Sequence, residues 1–171
     1  MVISKYALDC KPYLQSGGDI TWGDITWGEC TLRKWLNDEF INEAFGTEHQ
    51  KLIPTVVVSA DKNPENDTNP GKSTKDKVFL LSIKEAEKYF ANDEAWMCAP
   101  TAYAKANGVY TDDDYTTEDG EATCWWWLRS PGYTQFYAAC VNFGGYVFNR
   151  GCNVLYVEDG VRPALWINLE P

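Results

Sequence analysis

The sequence predicts an α+β domain in which short helices surround a small, mostly antiparallel, twisted sheet. Three observations predict it. Apolar residues recur at helical spacing over residues 31–45. Ser82-Ile83-Lys84-Glu85 has the Ser-x-x-Glu spacing of a capping box at the start of a further helix. From residue 138 to residue 167, short runs containing valine alternate with Gly, Asn and Asp, the pattern of a strand meander.

At 171 residues and 19.4 kDa the chain is read as one domain, residues 1–171, long enough to bury a substantial core. Eight Trp, ten Tyr and seven Phe are a heavy aromatic load, suited equally to a core and to a binding surface. The net charge of −10 argues against a nucleic-acid partner, which would need a basic surface, and against polybasic attachment to lipid. No apolar run approaches the roughly 20 residues of a spanning helix, so no membrane insertion is expected. The first residues lack the basic and apolar regions of a signal peptide. Six cysteines without a C-x-x-C pair, and a single histidine, His49, offer no zinc site, and free thiols are expected. No metal, no other cofactor and no catalytic residue is assigned.

In chain order, residues 2–7 read as a short strand. Residues 9–29 read as a loop containing the tandem Asp-Ile-Thr-Trp-Gly at 19–23 and 24–28, with Trp22 and Trp27 differing in exposure. In the helix at 31–45, Leu32, Trp35, Leu36, Phe40, Ile41, Ala44 and Phe45 form the inward stripe, and Gly46 closes it. Thr47 and Gln50 have capping-box spacing for a short helix ending before Pro54, with His49 at its surface. Val56-Val57-Val58 predicts a strand, residues 59–76 a polar surface loop, and residues 78–81 a buried strand. The helix opened by Ser82 runs to about Phe90, with Ala86, Tyr89 and Phe90 inward, and another spans residues 101–107 up to Gly108. Residues 111–121 carry six acidic side chains. Calcium is the sharp reading, but Thr117 stands where an EF-hand needs its turn Gly, so a solvated acidic loop is preferred.

The C-terminal strands are placed at 138–142, 145–149, 152–157 and 161–167, with turns at Gly144-Gly145, Asn149-Arg150-Gly151 and Asp159-Gly160. With Val141, Val147 and Val154 inward, alternation sends Cys140, Asn142, Tyr146, Phe148, Asn153 and Leu155 to the opposite face. Tyr, Phe, Asn and Arg then share one face, the mixture of rigid aromatic and adaptable polar groups found in paratopes.

Cys124-Trp125-Trp126-Trp127-Leu128-Arg129-Ser130-Pro131-Gly132 and residues 161–169, Val-Arg-Pro-Ala-Leu-Trp-Ile-Asn-Leu, resemble a bacterial and phage-borne domain family of formally unknown function. Upstream matches run in the same order: residues 4–13, 31–37, 76–82 and 100–105. The family is a recurrent target of diversity-generating retroelements, in which a reverse transcriptase rewrites adenine-bearing codons of a C-terminal variable region. The resemblance implies a C-type-lectin-like fold of the formylglycine-generating-enzyme branch, with a variable region at about 132–160. It also implies a ligand-binding face made of Tyr133, Thr134, Phe136, Tyr137, Cys140, Asn142, Phe143, Tyr146, Phe148, Asn149, Arg150, Cys152, Asn153, Leu155 and Tyr156. Adenine mutagenesis of Asn codons cannot produce Lys, Gln, Glu, Met or Trp. Between Tyr133 and Tyr156 the chain has none of these except Gln135, with Glu158 just beyond; these two are either unvaried positions or evidence against the account. On the same account Cys140 and Cys152 are incidental thiols rather than a designed disulfide. Relatives carry a further strand ahead of the first one here, so the chain is expected to lack an N-terminal edge strand or to borrow one from another chain.

The implied function is non-enzymatic binding of a protein or glycan ligand, within a larger parent protein or oligomer, displayed on a phage particle or cell surface. Three alternatives stand beside it. One is a structural domain whose aromatics only pack between strands, which burial of Tyr133, Tyr137, Phe143, Tyr146, Phe148 and Tyr156 would favour. Another is a glycan-binding lectin, calcium-dependent or not, although Glu-Pro-Asn and Trp-Asn-Asp are absent. The last is a formylglycine-generating-type oxidase, for which Cys140 and Cys152 are the only candidate thiols in the segment.

Overall fold

The computed structural model describes residues 1–15 and 25–169. Its centre is β8 (Trp126–Pro131), every residue of which is buried. A strand apolar on both faces must be covered on both, and the rest of the fold supplies that cover. β8 pairs antiparallel with β9 (Tyr137–Val141), and β9 pairs with β10 (Val147–Asn153). On its other edge β8 runs parallel to β11 (Gly160–Val161), which pairs antiparallel with β2 (Asp9–Cys10). The five strands lie in the order β10-β9-β8-β11-β2. A second, antiparallel sheet has the order β1-β12-β5, from Val2–Ile3, Ala164–Leu165 and Val78–Phe79. The mixed α/β character and small antiparallel-rich sheets match the coarse expectation.

The strand predicted over 161–167 is two strands. Arg162-Pro163 lies between β11 and β12 and carries the chain from one sheet to the other. Arg162 is buried there, its guanidinium 4.9 Å from the Trp126 ring and 5.0 Å from that of Phe90, and its Nε donates to Ser4 O at 3.0 Å. Trp166 and Ile167, expected to be scaffold, are exposed beyond the end of β12. The N-terminal strand is shorter than residues 2–7, because Ala7 makes only an isolated bridge to Pro100.

The helix at 31–45 forms with a break in its periodicity. α1 (Thr31–Trp35) passes through a π-helical turn (Leu36–Phe40) into α2 (Ile41–Ala44). The wider turn aligns residues five apart: Trp35 and Phe40 rings lie 5.3 Å apart, and Phe40 and Phe45 6.4 Å apart. Leu32, Leu36 and Ile41 are fully inside, whereas Ala44 is exposed, against expectation. Cys30 caps α1, its sulfur accepting from Arg33 N at 3.4 Å. Gly46, rather than ending this helix in a left-handed turn, is the extended N-cap of α3 (Thr47–Lys51). Gln50 does not complete a capping box; its Nε2 donates to Phe45 O at 2.8 Å. His49 is exposed. Of the tandem repeat, residues 19–24, Trp22 included, lie outside the described residues, and Trp27 is buried with its indole N–H on Asp76 at 3.0 Å.

The segment 59–76 is less loop-like than its composition suggests. β3 (Val56–Val58) pairs with β4 (Thr74–Asp76), making it the connection of a hairpin. Its Asn63 is buried and donates from Nδ2 to Pro131 O at 2.8 Å and Asn149 O at 2.6 Å, pinning it to β8 and β10. The capping box at Ser82 and Glu85 forms and opens α4 (Ile83–Tyr89), with Ala86 buried and Tyr89 exposed instead of inward. Arg129 is buried and ties β8 to this region: Nη1 donates to Leu80 O at 2.8 Å and to Glu85, and Nη2 to Asp61 at 3.4 Å. α5 (Asp93–Trp96), not anticipated from the sequence, is capped by Asn92. α6 (Ala102–Ala106) has Thr101 as N-cap. Half of the acidic segment is a strand rather than a loop: β6 (Thr111–Thr116) pairs with β7 (Ala122–Cys124), where Thr123 is buried, and residues 117–121 form the turn between them.

Candidate functional site

Where sequence spacing suggests a turn at Asn149-Arg150-Gly151, β10 continues with a bulge. Val147 and Phe148 face Val141 and Cys140, then the register shifts so that Cys152 and Asn153 face Ala138 and Tyr137. The shift depends on Gly151, whose φ is +82° and where a Cβ would sit 2.5 Å from Ala138 O. The extra residues leave Arg150 O free of the ladder to accept from Tyr133 N at 3.0 Å. The predicted strand 152–157 is therefore the end of β10 followed by a turn closed by Tyr156 N on Asn153 O at 2.9 Å.

These elements enclose a cleft of about 450 Å³. Its walls are Tyr110, Trp125, Phe143, Phe148 and Tyr156, and its base is Tyr137, Gly151, Cys152 and Asp159. The rings meet mostly edge to face: Trp125 lies 5.8 Å from Phe143 and 5.7 Å from Phe148, and Tyr110 5.7 Å from Phe143. At the neighbouring end Tyr133 and Tyr137 rings are 4.5 Å apart, with the Arg150 guanidinium 5.3 Å from Tyr133.

The predicted binding residues divide by position. Tyr133, Phe136, Tyr146, Phe148, Arg150 and Tyr156 are exposed, Tyr146 and Tyr156 most of all at 59% and 58%. Tyr137 and Phe143 are half-buried. The burial that would have made these aromatics mere packing is not what the chain shows. Thr134, Asn142 and Asn153 spend their side-chain oxygens on local turns, accepting from Phe136 N, Tyr146 N and Leu155 N respectively. Asn149 is half-buried, and its Oδ1 has no partner among the described residues. Leu155 lines a different concavity, with Trp35 and Leu14, away from the aromatic cleft.

One predicted binding residue, Cys140, is corrected, and so is the expectation of two incidental thiols. Cys140 and Cys152 are buried and joined in a disulfide with Cα atoms 6.2 Å apart, so neither is an incidental thiol, and Cys140 offers no accessible surface to a ligand. Alternation places Cys140 outward, but β9 lies between β8 and β10 and both its faces are covered from Ala138 to Val141. The bulge brings Cys152 within reach of Cys140 although their ladder partners differ. Of the remaining cysteines, Cys10, Cys30, Cys98 and Cys124 are all buried, and burial pushes the Cys30 thiol up to about 12. The valine register holds for Val141 and Val154, which are buried, and is looser at Val147, which is half-buried.

Five residues of the cleft escape the sequence reading: Tyr110, Trp125, Gly151, Glu158 and Asp159. Sequence groups Trp125 with its two neighbours as scaffold, yet only Trp126 and Trp127 bury their indoles, on Trp96 O and Lys11 O at 2.9 Å each. Asp159, a turn residue by sequence, is 7% exposed, and its Oδ2 has no hydrogen-bond partner among the described residues. Burial first, and the Glu158 carboxylate second, push its carboxyl up to about 7. It is buried because Gly160 packs against Ala7, Cys124 and Trp125, where a Cβ would meet Ala7 Cβ at 2.7 Å. The acidic side chains of β6 do not converge. Among the described residues no group of three or more His, Cys, Asp or Glu side chains is placed to hold a metal ion.

No curated protein and no solved structure matches the chain. Among the described residues no helix is long and apolar enough to cross a membrane. A family model matches residues 1–169, described as a domain of unknown function, DUF6273. The chain, with its Trp-rich central strand and aromatic cleft, belongs to the DUF6273 family.

Proposed function

We propose that this chain is a non-enzymatic ligand-binding module with a C-type-lectin-like fold, whose face at about residues 132–160 is diversified by a retroelement and binds a protein or glycan ligand. The observation that carries the proposal is the separation of display from support. Tyr133, Tyr146, Phe148, Arg150 and Tyr156 project from a bulged hairpin that is held by backbone bonds, the Cys140–Cys152 bridge and Asn63. Such side chains can change without removing what supports the hairpin. Gln135, the residue adenine mutagenesis could not have produced, has a structural task that supports its being unvaried: its Nε2 donates to Ile25 O at 2.9 Å. Against an oxidase stands the bond that already joins Cys140 and Cys152, with the four other thiols buried. Display on a phage particle or cell surface, within a larger parent protein or oligomer, fits a binding role.

The test is the DNA beside the gene. A reverse transcriptase together with a near-copy of the segment encoding residues 125–166, differing at adenines, is the expected finding. A near-copy differing at random bases, or none, overturns the diversification. In parallel, a library randomised at Tyr133, Tyr146, Phe148, Arg150 and Tyr156 should stay folded in most members, and general unfolding would refute the separation of display from support.

A further inference from the structure

The aromatic cleft has a chemical preference of its own, and assigning its ligand rests on the cleft being the ligand-binding face. Its walls present aromatic rings, whose faces attract positive charge. At its base Asp159 is 7% exposed with Oδ2 unpartnered, and Glu158 lies beside it. Among the described residues no Lys, Arg or His lines the cleft. An anion would meet two carboxylates there. An apolar group would leave the buried carboxylate unpaired, which is costly. A neutral hydroxyl could pair with Asp159 but would do little to stabilise its ionised form, which burial disfavours.

We propose that this cleft receives the alkylammonium side chain of a lysine presented by a partner protein, with the ammonium at Asp159 and the stem between the rings. An ammonium is a compact one-point donor on a slender stem, whereas a guanidinium is a planar fork suited to bidentate pairing. Asp159 lines the cleft, so its carboxyl is the group that an entering ammonium would meet. Tyr110 and Tyr156 at the rim are exposed, so a side chain can enter while its backbone stays outside. The net charge of −10 favours a partner with basic residues. The groups that sense Asp159 from adjoining elements are the Cys10 thiol of β2, the Cys124 thiol of β7 and neighbouring Glu158, none of which can neutralise it. Burial keeps the carboxyl up to about 7 in the empty cleft, and an ammonium beside it draws it to the ionised form.

The experiment is an NMR titration of the full chain with three probes: the peptide acetyl-Gly-Gly-Lys-Gly-Gly-amide, the same peptide with acetyl-lysine, and n-butylammonium. The lysine peptide should give saturable shifts at the Trp125 indole and the Phe148 and Asp159 amides. Acetylation should weaken binding by about tenfold or more, and so should Asp159→Asn. Tyr156→Ala, at the exposed rim, supplies a second variant that does not disturb the base and should also weaken binding. Equal binding of the acetylated peptide, or shifts confined to other surfaces, would overturn the ammonium assignment. Butylammonium binding as tightly as the peptide would overturn the partner's lysine in favour of a free amine. If no probe binds while an adenine-marked gene copy is found, the ammonium fails alone. If the probes bind and no copy is found, the diversification fails alone.

Discussion

Asp159→Asn should gain stability relative to the wild type as pH rises from 5 to 8, whatever constant cost the amide carries. The carboxyl ordinarily titrates at 3.8, and in the fold it is held up to about 7 by burial and by Glu158. Between those values the native chain keeps a proton that the unfolded chain has lost, so stability falls as pH rises and levels off above about 7. The full span of about 3 pH units at 1.36 kcal/mol each gives a penalty of about 4 kcal/mol, more than half of which accrues between pH 5 and 8. Asparagine keeps the shape and removes the charge. Its amide brings a hydrogen-bonding cost of its own, about 1–3 kcal/mol, but that cost does not vary with pH. The Cys10 thiol, raised by burial, and the Cys124 thiol, raised by its hydrogen bond to Cys98 and by burial, stay neutral across this window. The assay is urea denaturation of the wild type and the variant at pH 5, 6, 7 and 8. Their difference in unfolding free energy should move by about 2–3 kcal/mol in favour of the variant from pH 5 to pH 8. A difference that stays constant to within about 0.5 kcal/mol would refute the account, because the carboxyl would then be no harder to ionise in the fold than in the open chain.

Other expected outcomes concern the support of the cleft. Replacing both Cys140 and Cys152 by Ala removes a bridge with a sequence separation of 12, worth about 3 kcal/mol by loop-closure entropy. Unfolding of the wild type with and without reductant should show the same loss, and identical midpoints would refute the bridge. Arg129→Ala leaves Asp61 and Glu85 without their shared cation and Leu80 O without its donor, and should cost about 3 kcal/mol in chemical denaturation. A loss below about 1 kcal/mol would show that the guanidinium is not a structural tie. Gly151→Ala combines a φ of +82° with a Cβ 2.5 Å from Ala138 O, and should lower stability by about 2 kcal/mol or more. A neutral effect would mean that β10 carries no bulge there.

What the sequence by itself determined was local. The box at Ser82 and Glu85 depends on groups three residues apart, so it formed where the spacing placed it. Tyr146 and Phe148 were legible because alternation about Val147 assigns them outward, whereas Tyr133, Phe136 and Tyr156 entered through the family resemblance. The tertiary structure alone decided what depends on pairing between distant segments. Cys140 is buried because the fold covers both faces of β9, and it meets Cys152 only after the bulge at Gly151 shifts the register. The strand predicted over 161–167 divides because Arg162 leaves one sheet to lie between Trp126 and Phe90. Asp159 has the sequence of an ordinary turn residue, since Asp-Gly suits a turn anywhere. Its carboxyl becomes buried and unpartnered only when Gly160 packs against Ala7, about 150 residues earlier in the chain. Short-range spacing fixes which residues cap, alternate and face outward, whereas the environment of a buried charge is the sum of neighbours that only the closed fold brings together.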